Sequence, residues 1–292
     1  MAGYLPKPPH IAGINNAHPL SQGVIGAWPM TEGSDQADIK DVSGRNQTGA
    51  QTGNPPWVGS PWGWCASLDG STDYYNLGQS PFYKASAIDV SIGFIAEIDT
   101  SDFNSTVKLI LDTGTGNPDA NLGMWVGLED RGGGSVVING LQWQFETQST
   151  ATAKVVTNNN VFTTTPTWYK ILLTYRSADN TVNMYIDGVD EYSGGYDLPN
   201  GAYRPRNANM YFGAENDGAL KTKAKLQNLI LWDRYINPSE AKQWNQDPFC
   251  IYRRPSHISE WIAGTFAAVA ASRIGALFSS RNLNSSTQQR GS

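Results

Sequence analysis

The chain has 292 residues and a net charge of −5, with only 16% charged residues. That length holds one large domain or two small ones, with a core that needs no disulfide staple, and the acidic balance excludes nucleic-acid binding by bulk charge. Thirty Gly, ten Trp and thirteen Tyr, with abundant Asn, Ser and Thr, describe an all-β protein rich in turns rather than a helical enzyme.

Residues 1–22 are Pro- and Asn-rich and read as an extended N-terminal arm. They lack the charged start and apolar run of a secretory signal. A short strand follows at 24–30, then a turn-rich connection over 31–50. Residues 54–78 alternate from Trp62 onward. In 88–99, Val90, Ile92, Phe94 and Ala96 fall on one face of a strand. Further strands are predicted at 107–114, 122–130, 135–147 and 154–164. The segments TWYKILLTYR and TVNMYIDG form a hairpin through Ser177-Ala178-Asp179-Asn180. Asp187-Gly188 marks a tight turn, because both central residues of a type I′ turn need positive φ. NMYFGA and KAKLQNLILWDR close the β run. Asn237-Pro238-Ser239-Glu240 supplies an N-cap, a first-turn Pro and an acid at the third position, which predicts a helix over 238–246 that Asp247-Pro248 stops. About a dozen short strands at this spacing specify an antiparallel two-sheet jelly-roll sandwich over 23–250, with the hairpin at one edge.

Residues 251–292 differ in kind. Arg253, Arg254, Arg273, Arg281 and Arg290 stand against the one acid Glu260, which makes this tail +4 and the rest of the chain −9. After Trp261, the residues Ile262, Phe266, Val269/Ala270, Ile274 and Leu277 recur at three- and four-residue steps, one apolar stripe on an amphipathic helix. The small residues around it allow close helix approach, and the charge suits an acidic neighbour or further copies of the chain. Packing back on the chain's own sandwich accounts for the same stripe. Arg273 interrupts a span at the short limit, so no membrane insertion is expected. Cys65 and Cys250 are neither a metal framework nor a disulfide scaffold; one long-range bridge and two buried thiols are both open.

Four stretches carry a resemblance: AWPMTEGS with DVSGRNQTG, then WCASLDGSTDYYNLG, then WYKILLTYRSADNTVNMYIDGV, and last NMYFGA with LQNLILWDRYINPSEAKQWNQDPF. Their order and spacing over 24–250 resemble the concanavalin A-like lectin/glucanase superfamily, in the laminin-G-like jelly-roll form found in many bacteriophage proteins. The flanks INNAHPLSQGVIGAWPM and NQDPFCIYRRP look like those of phage-encoded members, which are commonly tail appendages, fibres or head decorations. The resemblance implies a virion structural protein, located in the virion and tethered by its terminal arms. Its implied partners are other virion proteins, copies of itself and a cell-surface glycan, with no nucleic acid. A stand-alone glycan-binding module is the alternative, and a glycoside hydrolase the third reading.

The glucanases of this superfamily use Glu-x-Asp-x-x-Glu on a strand. Here the stretch is Glu97-Ile98-Asp99-Thr100-Ser101-Asp102, so Glu97 and Asp99 share a strand face roughly 6–7 Å apart, near glycosidase spacing, but the last acid is Asp. The stretch reads as a solvated strand end, and no enzyme is expected. His10, His18 and His257 lie in the terminal segments, so no His-based triad forms inside the body. Many relatives bind structural calcium with an early Glu and an Asp in the last strand. Glu32 matches the first, while Gln227 and Asn228 stand where the second is expected, a poor exchange for a hard cation; a turn cap also explains Glu32. For a glycan site, Gln142, Gln144 and Glu146 share one strand face opposite Leu141, Trp143 and Phe145, with Trp125, Tyr203 and Asn158-Asn159-Asn160 as candidate neighbours. A solvated sheet face gives the same pattern. Lys221, Lys223 and Lys225 read as one basic sheet edge.

Overall fold

The computed structural model describes residues 13–33, 37–98, 100, 108–113, 123–129, 139–149, 153–196, 198–215 and 220–252. Residues 1–252 form one compact unit and 253–292 a second. The second unit lies outside the described residues, and with it Arg253, Arg254, Trp261, Ile262, Phe266, Val269, Ile274 and Leu277.

The first unit begins with β1 (Val24–Trp28), β2 (Ala50–Thr52), β3 (Trp57–Ser60), β4 (Gly63–Asp69) and β5 (Tyr74–Gln79). A five-residue helix, α1 (Pro81–Ala85), leads to β6 (Val90–Ile98), β7 (Lys108–Asp112), β8 (Met124–Glu129), β9 (Gly140–Phe145) and β10 (Ala153–Thr157). Then come β11 (Thr167–Arg176), β12 (Thr181–Ile186), β13 (Val189–Asp190), β14 (Tyr192–Tyr196), β15 (Asn209–Phe212), β16 (Lys223–Trp232) and α2 (Pro238–Gln246). The strands form two sheets. One runs β13-β12-β11-β6-β16-β4-β3, with β1 also on β16; the other runs β14-β10-β9-β8-β7-β15-β5-β2. This is the expected jelly-roll sandwich, with the β11–β12 hairpin near one edge. Asp187 (φ 49°) and Gly188 (φ 83°) both adopt the left-handed backbone that the turn demands.

Alternation places the core. Val90, Ile92, Phe94 and Ala96 of β6 point between the sheets, as do Ile171, Leu173 and Tyr175 of β11 and Leu141, Trp143 and Phe145 of β9. Phe94 and Phe212 meet edge-to-face across the gap, ring centroids 6.4 Å apart.

The outer face of the first sheet is covered too. Ile95, Leu172, Ile230 and Trp232 pack under Ala241 and Trp244 of α2, Phe249, Ile251, Tyr252 and Leu20. Burial on both sides explains the local apolar runs Phe94-Ile95-Ala96 of β6, Ile171-Leu172-Leu173 of β11 and Leu229-Ile230-Leu231-Trp232 of β16. The helix is fixed by the predicted capping box: Asn237 accepts from the Ser239 and Glu240 amides, and Glu240 accepts from the Asn237 amide. A buried hydroxyl pair, Ser91 and Thr174, takes the Ile236 amide and anchors the approach to α2.

Three expectations change, and one open alternative is resolved. Residues 13–22, the described part of the predicted arm, lie against the sandwich. Pro19–Ser21 forms a 3-10 turn, Leu20 is fully buried, and its carbonyl accepts from the Trp232 indole at 2.7 Å. The strand predicted over 154–164 ends at Thr157, where exposed Asn158, Asn159 and Asn160 begin a loop. Strand β16 lies between β6 and β4, so Lys223 and Lys225 mark no sheet edge. Cys65 and Cys250 are both thiols, not a bridge.

Candidate functional site

Strand β9 sends Gln142 and Gln144 to the outer face of the second sheet, and Glu146 follows just beyond the strand. The pairing register lines up a row across six strands: Asn76, Tyr211, Asp112, Trp125, Gln144 and Lys154. The row is not the solvated face that alternation suggested. Asp112, Gln142 and Gln144 are each 3% exposed, Glu146 is 4% and Trp125 is 5%. Period two decides which face a residue takes, not what covers that face. The indole Nε1 of Trp125 is buried without a hydrogen-bond partner. Both oxygens of Glu146 are used, by Arg204 Nη1 at 3.1 Å and Arg206 Nε at 2.6 Å.

Tyr203 requires correction as a stacking residue. It points inward while Arg204 points out, and its ring sits in the core against Phe82 and Phe145 at centroid distances of 5.8 and 6.3 Å. Burial pushes its phenol well above the usual range.

The carboxylates do not assemble as a hydrolase requires. Glu97 is held by Lys225, Nζ to Oε1 2.5 Å, while Asp99 and Asp102 lie outside the described residues. Of the three His, His18 alone is described. Its Nδ1 accepts from the Leu20 amide, and Nε2 lies 3.2 Å from the Gln243 amide nitrogen. Burial lowers its pKa, against a smaller opposing pull from Asp247.

The side chains that the resemblance implies for calcium are mostly engaged by protein hydrogen bonds. Glu32 Oε1 accepts from the Lys40 amide at 2.9 Å, and Oε2 is buried without a partner. Gln227 donates to the Trp64 carbonyl and accepts from Ser60 Oγ. Asn228 donates to the Pro248 carbonyl and accepts from Tyr252. Among the described residues no three His, Cys, Asp or Glu gather to hold a metal, and Glu32 is the one carboxylate in the set that the resemblance names. The two amides instead fasten a bulge, where β16 passes from β4 to β1 and Asn228 takes φ 55°.

The early motif Asp41-Val42-Ser43-Gly44 also proves structural. Asp41 accepts from the amides of Ala27, Ser43 and Gln47 and from Ser43 Oγ.

A model of the concanavalin A-like lectin/glucanases superfamily matches residues 69–242, more than half of the chain. The chain belongs to this superfamily. No curated protein matches it. Among solved structures, the superfamily fold recurs in the binding domain of Paraclostridial Mosquitocidal Protein 1, at 14% identity and TM-score 0.58, covering 77% of this chain and 52% of that one. Domain 4 of AbnA, a GH43 extracellular arabinanase from Geobacillus stearothermophilus, solved with arabinotriose, is similar at 17% identity and TM-score 0.52, covering 75% of this chain and 97% of the domain. The binding domain of Botulinum Neurotoxin DC, in complex with SialylT, is similar at 14% identity and TM-score 0.54, over 78% of this chain and 52% of that one. The chain spans about half the length of the two toxin domains, and at these identities the likeness is one of fold.

Within this lectin-like sandwich one surface aromatic escaped the sequence. Trp64 is 48% exposed, the one exposed Trp among the described residues. It lies on β4 directly opposite Gly59 of β3. Its alternation partners Ala66 and Leu68 are core residues, so its spacing reads as interior; only its position at the start of the strand brings it to the rim.

Proposed function

We propose that the chain is a non-catalytic glycan-binding module. The observation that carries this reading is the fold: 75% of this chain matches 97% of an arabinanase domain solved with arabinotriose. The pairing of Glu97 with Lys225 speaks for binding rather than hydrolysis. The test is an array of plant, bacterial and animal glycans probed with the full chain. Retention on a defined glycan supports the reading, and retention on none overturns it.

A second reading, in which this module is displayed on a phage particle, is favoured by the unit boundary at Tyr252 and Arg253. The boundary coincides with the change from an acidic body to a tail carrying five Arg and one Glu. In that reading the tail tethers the protein to other virion proteins or to its own copies. Truncation after Tyr252 then leaves a folded body that is no longer incorporated into particles; normal incorporation overturns it.

A further inference from the structure

The rim formed by β3 and β4 carries an apolar surface that the fold does not bury. Trp64 is half exposed, although an indole on a strand of this sheet has a core to enter. Its mount is rigid. The strand pairs it with Gly59, and its carbonyl accepts from the buried Gln227 amide at 2.6 Å. One edge of the ring lies on Gly33, whose missing Cβ would stand 3.3 Å from the indole Cδ1 and Nε1. Gly33 has φ 73°, so its backbone also disfavours a side chain there. The space over Gly59, its cross-strand partner, is open: a Cβ there would meet nothing within 4 Å. Gly59, Pro61 and Gly63 around it are exposed.

We infer that the open face of Trp64 is the platform on which a neutral sugar ring stacks, with the backbone of edge strand β3 meeting its hydroxyls. The inference rests on the glycan-binding reading and gives it a site. Three features select this occupant. No other exposed large hydrophobic lies on β3 or β4. A lone indole is far too small for a protein interface of about 800 Å² per partner and matches the apolar face of a single sugar ring. Strand β3 ends its sheet, so one side of its backbone stays outside the ladder and can exchange hydrogen bonds with hydroxyls. The acidic balance of residues 1–250, net −9, disfavours a carboxylate-bearing sugar.

The test titrates the full chain with arabinotriose, cellotriose, laminaritriose and mannotriose as neutral probes, and with sialyllactose and trigalacturonate as acidic ones. Trp64→Ala, Trp64→Phe and Tyr83→Ala, the last an exposed aromatic on α1, are compared with the unaltered chain. Expected is binding of a neutral probe that weakens at least tenfold in Trp64→Ala, stays within about threefold in Trp64→Phe and is unchanged in Tyr83→Ala. In the unaltered chain the same probe should slow oxidation of Trp64 by N-bromosuccinimide, read by peptide mass spectrometry, a measurement that needs no variant to fold. Binding that survives Trp64→Ala without loss, or no protection of Trp64, overturns the site but leaves the module standing. Preference for the acidic probes overturns the neutral-sugar assignment. No binding of any probe, on the array or in solution, overturns the module and the site together, as does self-association of the unaltered chain that Trp64→Ala abolishes while no sugar binds.

Discussion

Lys225 Nζ stands 2.5 Å from Glu97 Oε1, across the directly opposed pair that the two residues form between β16 and β6. The carboxylate that best matched a glucanase nucleophile is thereby a cross-strand ion pair. Such a pair contributes about 0.2–1 kcal/mol when partly exposed. Glu97→Gln is therefore expected to lower stability by no more than about 1 kcal/mol and to leave reducing-sugar release from polysaccharides at the unaltered chain's background. A turnover present in the unaltered chain and lost in the variant would overturn the non-catalytic reading.

Asp41 is the staple of the loop between β1 and β2. It takes the amides of Ala27 and Gln47, both in buried residues, at 3.1 Å each. Gln47 in turn donates to the carbonyls of Leu77 and Gln79, and its own carbonyl accepts from the Trp28 indole. Asp41→Ala leaves two buried donors without acceptors and is expected to cost about 2–4 kcal/mol, read as a shift in urea midpoint with unchanged slope. Asp41→Asn keeps one acceptor oxygen and should recover part of the loss.

How much of this was legible follows from what each signal encodes. The Asp187-Gly188 turn and α2 were readable to the residue, because φ preference and capping chemistry are local. Helix α1 was not, since Pro81–Ala85 is too short to show a helical period. Strand β14 was missed because Gly194 and Gly195 carry no side-chain pattern; Gly195 is needed where a Cβ would stand 2.0 Å from the Lys154 carbonyl oxygen. Alternation put Gln142, Gln144 and Glu146 on the correct face but is silent about cover, so a buried seam read as an open one. Tyr203 and Trp64 show the same limit: residue type and spacing do not say that Tyr203 enters the core while Trp64 stays half exposed.

Alkaline pH supplies a separate check of the core. Burial raises the phenols of Tyr175 and Tyr185 to about 12, with nearby Asp89 and Asp190 adding to it, respectively. In the unfolded chain they ionise near 10. The unfolded state then releases protons first, so the contribution of these two groups is intact below about pH 10 and falls between about 10 and 12. Phenolate absorbance during a pH titration should show these tyrosines ionising together with unfolding. Tyr175→Phe removes its share of the alkaline loss, although it also gives up the hydrogen bond to the Gly201 carbonyl.

Gly93 of β6 faces the α2 side of its sheet, between Leu172 and Ile230 on the neighbouring strands. A Cβ there would stand 3.0 Å from Trp244 Cζ2 and 3.1 Å from Trp232 Cζ3. Both indoles are buried, Trp244 at 1% exposure and Trp232 at 0%. Trp232 is fixed by its bond to the Leu20 carbonyl. Gly93→Ala is expected to cost about 1–3 kcal/mol by overpacking, and Trp244→Ala about 3–5 kcal/mol by opening a cavity under α2. The two are in contact, so they should not add. With the Trp244 ring gone, the new methyl group partly fills the space it left, and the double variant should be more stable than the sum of the single losses predicts by about 0.5–2 kcal/mol. Chemical unfolding of all four proteins measures that difference. Strict additivity would show that α2 does not rest on β6 through these side chains.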